Sequence, residues 1–428
     1  MPKVTIILTS YNKPQTVGDS IKSVLSQTLK DWELFIMDDA SNEDTQKVIK
    51  QYVDDPRIHY YNSNIKDNER YKTTRYAALI NQAILLSTGE YISYLTDDTF
   101  YLSNRLEVMV QFLELHLDID IVYSKQKVNI VDKELRIISE RIRDTRGVLR
   151  QPQNIVDHCS VMHRRSIAHK VYNKYGDFWD DDPANWHNGD AVFWRRLAVF
   201  EPFYPIEEVL DISLKGPNSF QNMNAYLPEK IPNGTLVKGL SSKIYLIEGQ
   251  IRREITKEML EKLKYNMKMI VTIPDPVLFK HREEDVIDES IFLEPKKFPN
   301  QRLVQAKEDE SIYYIQNNKK RRIINKKTFK KYRFSEKEIV QVSSFFLEAI
   351  PDGIPIYLNL VKTIILPDRL LCKTGNKYYL SNDNKFHEIH LKVIKKMKLP
   401  MDKVIQIKRS ELCNYAVGKP LQWMYQLK

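Results

Sequence analysis

"YISYLTDDTF", residues 91–100, reads as a buried strand running straight into two adjacent carboxylates, Asp97 and Asp98. Side chains alternate faces along a strand, so a core cannot take both acids. Side by side, two like charges repel unless water, a donor or a cation sits with them. Outward from this stretch, short apolar runs alternate with segments of helical period. Val4 to Leu8 is a β-branched strand, followed by a helix from about Pro14 whose Val17, Ile21, Val24 and Leu25 share one face. Glu33 to Met37 is a second strand, ending in Asp38 and Asp39. A helix over about 43–54, a strand "RIHYY" (57–61) and a helix over 74–88 stopped by Gly89 come next. Beyond the opening stretch lie a helix from about Asn104 and the strand "IDIVYS" (119–124). This alternation predicts a doubly wound, mostly parallel α/β sheet.

Ligands of such sheets bind outside the carboxyl ends of the strands. Three of those ends are "LTSYN" (8–12), "MDDAS" (37–41) and "LTDDT" (95–99), all polar and two of them paired acids. One acidic pair would read as a solvated turn or a helix cap. Two pairs and a hydroxyl-rich loop on one edge point to a ligand. Neither G-x-G-x-x-G nor GxxxxGK[ST] follows the first strand, and Gly18 is the only glycine between residues 9 and 26. With no glycine cradle for phosphates, a diphosphate here calls for another source of positive charge. Mg²⁺ shared between a carboxylate and substrate phosphates is one such source.

Composition sets the frame. A chain of 428 residues has room for two or three domains, and 42% hydrophobic content is ordinary for a globular protein. No run approaches the roughly 18 apolar residues of a membrane span. "MPKVTIILTSYN" lacks the length and cleavage site of a signal peptide, and the three cysteines (Cys159, Cys372, Cys413) form no CxxC. These features lead us to expect a cytoplasmic protein without disulfides or structural zinc. Residues 229–428 carry +15 of formal charge, leaving −5 on residues 1–228 out of the +10 total. This shift, with the Pro-containing "LPEKIPNG" (227–234), predicts a boundary near 228/229.

"VTIILTSYNKPQTVGDSIKSVLSQT", "DWELFIMDDAS" and "YISYLTDDTF" together resemble a family 2 glycosyltransferase of the GT-A fold. "TRYAALINQA", "DHCSVMHR" and "FYPIEEVLD" are similar to members that build spore coat polysaccharide in endospore-forming bacteria, over about residues 1–225. The full length resembles a longer spore-maturation member of the same family. The resemblance implies that Thr9, Tyr11, Asp39, Arg70 and Asp97 grip the nucleotide, with Tyr11 stacking on the base, Asp39 bonding it and Asp97 contacting ribose. It further implies that Asp98 ligates Mn²⁺ or Mg²⁺. Read locally, Arg70 is a solvated loop charge and Asp39 a helix cap.

Inverting transfer needs a base to take the acceptor hydroxyl's proton. The resemblance places it at Asp190 in "NWHNGDAVFWRRL" (185–197), with Gly-Asp where the family more often has Glu-Asp. Position alone fits a helix cap equally well. Asp180, Asp181 and Asp182 read as an exposed turn or an acceptor contact, and His158 and His163 as core or acceptor-pocket residues rather than zinc ligands. The Q-x-x-R-W signature of processive members is absent, so one sugar at a time is expected. The donor class implied is a UDP- or dTDP-type sugar, and the acceptor a spore-surface glycan or coat component. A non-catalytic coat assembly scaffold that keeps the fold is the alternative. A nucleotidyltransferase is a third reading, disfavoured by the glycine-poor first loop.

The second half repeats itself. "SKIYLIEGQIRREI" (242–255), "ESIYYIQNNKKRRII" (310–324) and "GNKYYLSNDNKFHEI" (375–389) each pair an aromatic strand with a polar turn and a second strand. Tyr245, Tyr313 and Tyr378 mark a period of 65 to 68 residues. Three α+β repeats, about 229–296, 297–364 and 365–428, are therefore expected. "KKRRIINKKTFKKYR" (319–333) contains no acid. Its Lys319, Lys320, Arg321 and Arg322 form either a solvated face or a contact for an anionic polymer, with a glycan favoured over nucleic acid.

Overall fold

The computed structural model describes residues 1–307 and 309–423, and the chain divides into two compact units, Met1–Ser219 and Phe220–Lys428. The first unit is built on a nine-stranded sheet. Its strands are β1 (Val4–Ser10), β2 (Trp32–Asp38), β3 (Ile58–Asn62), β4 (Tyr91–Thr96), β5 (Thr99–Tyr101), β6 (Ile121–Val131), β7 (Ile137–Arg143), β8 (Val161–Arg164) and β9 (Tyr204–Lys215). They run in the order β3-β2-β1-β4-β8-β6-β9-β5, with β7 paired to β6. The β3-β2-β1-β4 half is parallel throughout, as is the β6–β9 pair. The antiparallel β8 joins these two parts.

Period-2 alternation divides the strands between two cores. Val4, Ile6 and Leu8 of β1 pack with α1 (Val17–Leu25), α2 (Glu43–Ile49) and α4 (Arg105–Leu115). Ile7, on the other face of β1, packs with α3 (Arg75–Leu86), α5 (Arg165–Tyr175) and α6 (Gly189–Leu197). Helices thus cover both faces, as the strand–helix alternation predicts. The α2 segment is shorter than its expected span, ending at Ile49. The strand from 121 continues well past Ser124, so β6 and β7 form a long hairpin arm that local hydrophobicity does not signal.

Among the described residues the second unit contains three small sheets. The first holds β10 (Thr235–Lys238), β11 (Tyr245–Glu248), β12 (Ile251–Ile255), β13 (Val271–Thr272) and β14 (Arg282–Ile287). β15 (Arg302–Ala306), β16 (Tyr313–Gln316), β17 (Lys319–Arg322) and β18 (Ile339–Val342) form the second. The third holds β19 (Leu371–Thr374), β20 (Lys377–Asn382), β21 (Lys385–Ile389), β22 (Ile405–Gln406) and β23 (Ala416–Val417). In each sheet an antiparallel three-stranded meander carries a parallel strand beside its first member.

Hydrogen bonds run round the three sheets in a closed ring. Glu248 accepts from the Asn300 N–H at 2.7 Å, and Gln316 donates to the Leu366 carbonyl at 2.8 Å. Asn382 then accepts from the Asn233 N–H at 2.9 Å, which returns the ring to the first sheet.

The basic run is not one exposed face. Arg321 is only 2% exposed and donates to Gln316 and to the carbonyls of Ile354 and Ile365. Lys320 donates to the carbonyls of Leu347 and Ile350. These two charges satisfy internal acceptors, so the four-residue contact expected at 319–322 is reduced to Lys319 and Arg322.

Candidate functional site

Parallel pairing aligns the ends of β1, β2 and β4, with Thr9 opposite Thr96 and Ser10 opposite Asp38. The residues that follow therefore meet at one edge. The Tyr11 N–H donates to Asp97 Oδ2 at 2.7 Å, and Thr9 lies half-buried at the end of β1. Asp98 Oδ1 accepts from Thr96 Oγ1 at 3.0 Å, while its Oδ2 lies 3.0 Å from Lys13 Nζ. The adjacent acids differ in charge preference. Burial raises the Asp97 carboxyl above the ordinary range, and the neighbouring Asp98 charge adds to this. Burial acts the same way on Asp98, but Lys13 and Lys215 outweigh it and leave the group below its ordinary value. Lys13 thus supplies the cation that the paired acids require.

Asp39 and Arg70 come together in a buried ion pair of 2.5 Å. Arg75 binds the other Asp39 oxygen through Nε at 3.0 Å and Nη2 at 2.7 Å, with Ser63 Oγ at 3.2 Å. The Arg70 guanidinium lies over the Tyr11 ring, 4.2 Å from its centroid, so the first-strand loop and the Asp39 cluster form one wall. Arg70 is only 3% exposed, and the solvated-loop reading does not hold.

Asp190 sits in the first turn of α6, where Asn188 rather than Asp190 holds the N-cap position. Burial pushes its carboxyl up to about 6, with Asp157 adding to the effect. The helix start is fixed by Tyr76, whose hydroxyl oxygen accepts from the Gly189 N–H at 2.7 Å. A Cβ on residue 189 would lie 2.7 Å from that oxygen. This contact explains Gly-Asp at a place where Glu-Asp would clash with the tyrosine.

Lys215 is the last residue of β9. Its charge lowers the proton affinity of Asp98, Asp157 and Asp190 alike. Asp157 accepts from Gln126 Nε2 at 3.0 Å and pairs with Arg143 of β7. Burial opposes ionisation of Asp157, yet Lys215 and Arg143 hold it well below the usual carboxylate range. The Lys215 charge thus favours the ionised form of both Asp98 and Asp190, which are 92 residues apart in the chain.

Other candidate residues have structural partners. Asp180 pairs with Arg196 at 2.9 Å, and Asp182 accepts from the Ala184 N–H at 2.7 Å. His163 Nε2 lies 2.7 Å from the Tyr94 hydroxyl, and burial lowers both His158 and His163 to about 4, which places them in the aromatic core. Among the described residues no three His, Cys, Asp or Glu side chains converge to hold a metal. Asp98 is ionised and already faces a cation, which fits a site completed by substrate phosphates. Lys13, Arg75, Asp157, Arg143 and Lys215 were not singled out in the sequence. Lys13 and Asp157 lie inside conspicuous motifs, whereas Arg143 arrives on the β6–β7 hairpin and Lys215 at the end of β9, paired in parallel with β6.

Residues 5–172 match the model of the family "Glycosyl transferase family 2". Over 425 residues, 99% of this chain and 96% of the relative, the sequence is 41% identical to Protein CgeD of Bacillus subtilis (strain 168). It is 32% identical over 125 residues to the UDP-Glc:alpha-D-GlcNAc-diphosphoundecaprenol beta-1,3-glucosyltransferase WfgD of Escherichia coli, covering 29% of this chain and 46% of that protein. Among solved structures, Staphylococcus aureus TarS matches 52% of this chain and 38% of its own, at 13% identity and a TM-score of 0.39. No helix among the described residues is long and apolar enough to cross a membrane. With the N-terminal match falling on the unit that carries the acidic edge, and a relative aligned along nearly the whole length, the chain belongs to glycosyltransferase family 2.

Proposed function

We infer that this glycosyltransferase transfers one sugar at a time, with inversion, from a UDP- or dTDP-type donor to a glycan or coat acceptor on the spore surface. The observation that carries the reading is the strand edge where the Tyr11 N–H meets Asp97, Lys13 meets Asp98, and Arg70 joins Tyr11 to Asp39. The spore context rests on the resemblance of "TRYAALINQA", "DHCSVMHR" and "FYPIEEVLD" to coat-polysaccharide members of the family.

In this reading Thr9, Tyr11, Asp39, Arg70 and Asp97 hold the nucleotide, and Tyr11 stacks on the base. Asp98 holds Mn²⁺ or Mg²⁺, which when bound with the donor diphosphate supplies Lewis-acid stabilisation of the leaving group. Lys13 is freed from Asp98 to face the phosphates. The acceptor hydroxyl oxygen forms a bond to the anomeric carbon as the carbon–diphosphate oxygen bond breaks. Its proton passes to Asp190, and the nucleoside diphosphate departs with the bonding electron pair. The Ala191 N–H, then Arg143 and Lys215, favour the ionised Asp190 that accepts that proton.

The C-terminal unit reads as three copies of one supersecondary unit. Support comes from left-handed residues at matching places: Gly234, Gln301 and Arg369 before the first strands, and Lys264, Arg333 and Lys398 after the helices. The test of the catalytic reading is thermal unfolding with UDP, dTDP, GDP or CDP, each with and without Mn²⁺, for wild type and Asp98→Ala. A shift that needs UDP or dTDP together with Mn²⁺ and vanishes in the variant is expected. No shift with any nucleotide would overturn the donor site and favour the scaffold reading.

A further inference from the structure

The second unit contains a groove of about 860 Å³ between the helix Lys326–Lys331, the segment around Asn359 and the helix Arg409–Leu412. Leu358, Val361 and Ile407 give it apolar patches, and Asn359, Gln406 and Asn414 also line it, with Asn359 Oδ1 accepting from the Val361 N–H and Asn414 Nδ2 donating to the Ser410 carbonyl. Lys331 reaches across to Glu411 at 2.9 Å. That pair joins the two walls and leaves the neighbouring cations unbalanced.

Lys326, Lys327, Lys330 and Arg333 are exposed, and none has an ion-pair partner among the described residues. Lys327 stands one turn before Lys331 and so adjoins the groove on the same helix face. Lys326 and Lys330, four apart on the same helix, make a second row, and Arg333 follows past the helix end. Like charges gathered without counter-charges repel one another and create a field that draws in polyanions.

We propose that this groove and the cationic helix face beside it bind an acidic polysaccharide chain. Side-chain amides suit vicinal hydroxyls, the aliphatic patches suit the C–H face of a sugar ring, and the lysine rows suit carboxylates or other anionic substituents along the chain. The choice of occupant rests on the glycosyltransferase reading of the first unit, whose acceptors are glycans. Single-stranded nucleic acid is disfavoured because among the described residues no aromatic ring lines the groove as a stacking platform. A membrane surface is disfavoured because the lysine rows carry no exposed large apolar side chain between Lys326 and Arg333.

The experiment measures binding of the full chain to polygalacturonate, with neutral dextran, duplex DNA and anionic phospholipid vesicles as parallel arms. Three variants accompany the wild type: Lys326→Glu/Lys327→Glu/Lys330→Glu, Asn359→Ala/Asn414→Ala, and Asp98→Ala. Wild type is expected to retain polygalacturonate in preference to the other three probes, and more weakly as salt rises. The charge-reversed protein should bind on the order of tenfold less tightly. The amide variant should also weaken, separating groove recognition from bulk charge, and Asp98→Ala should bind as wild type does. Unchanged thermal unfolding of the surface variants shows that they fold. No binding by wild type, equal binding by the charge-reversed protein, or preference for DNA or vesicles would overturn the proposal. Nucleotide-dependent stabilisation, read on the same samples, fails independently if it is the donor site that is wrong.

Discussion

Asp190 lies half-buried in the first turn of α6, and burial pushes its carboxyl up to about 6. A base must be ionised to accept a proton, so kcat/KM is expected to be level above that pH and to fall about tenfold per unit below it. Asp190→Asn should cost roughly 10²- to 10⁴-fold in rate while leaving nucleotide-dependent stabilisation intact. A purely structural Asp190 would instead change unfolding and leave the pH profile in place. Initial rates from pH 5 to 8, paired with thermal unfolding, separate the two. At this scale much of the site was legible. Asp97 and Asp98 announce themselves because two adjacent charges at a strand end need a counter-charge. Lys13, which provides it, is a lysine in a loop that looks like any other until β1 and β4 are paired. Arg70 shows the limit from the other side. Its sequence context is polar, yet it folds onto Tyr11 and Asp39 and is nearly buried.

Local backbone geometry matters most at the element scale in the second unit. The hairpins β11–β12, β16–β17 and β20–β21 each turn through two consecutive left-handed residues: Gly249–Gln250, Asn317–Asn318 and Asp383–Asn384. Such two-residue turns match the twist of the flanking strands, and Gly, Asn and Asp adopt them at least cost. The aromatic-strand, polar-turn, strand pattern is readable for this reason. Ile364 is different. It closes the short helix Leu360–Thr363 with φ 57° and ψ −55°, and the Ile365 N–H reaches back to the Thr363 carbonyl at 2.5 Å. This is a three-residue turn of the rarer hand, strained for any residue with a Cβ and more so for a β-branched one. The Ile364 side chain is 60% exposed, so little packing offsets the strain. Ile364→Gly is expected to stabilise the protein by about 1 kcal/mol, read from denaturant unfolding. Nothing in a short apolar run, "TIIL", distinguishes this residue from its neighbours. The β6–β7 arm was hidden for a related reason: its exposed outer strand is held by pairing to β6, not by a buried face.

Across the whole molecule the charge asymmetry between the halves carries no sign of how the second unit holds itself together. Its closing point is a polar cluster where the third sheet meets the first two. Asp368 accepts from the Asp383 N–H at 3.0 Å, and the side-chain amides of Asn233 and Gln301 approach it at 3.4 and 3.5 Å. These residues lie far apart in sequence, and only closure of the ring gives them a common neighbour. Burial pushes the Asp368 carboxyl up to about 6, partly offset by the Asn233 bond, with the Asp383 charge acting in the same direction as burial. The folded state therefore holds a proton here that the unfolded chain, titrating near its ordinary value, has already released. Stability from this group is present below about pH 4 and is lost as pH rises through about 6. Asp368→Asn keeps the shape and removes the titration. It is expected to match wild type near pH 4 and to exceed it by on the order of 2 kcal/mol at pH 8, measured as the difference in denaturant midpoints across that range. Equal pH dependence in the two proteins would show that the cluster does not carry this charge penalty. A gain confined to high pH would identify ring closure as the place where the second unit tolerates a buried carboxylate for the sake of joining its first and last sheets.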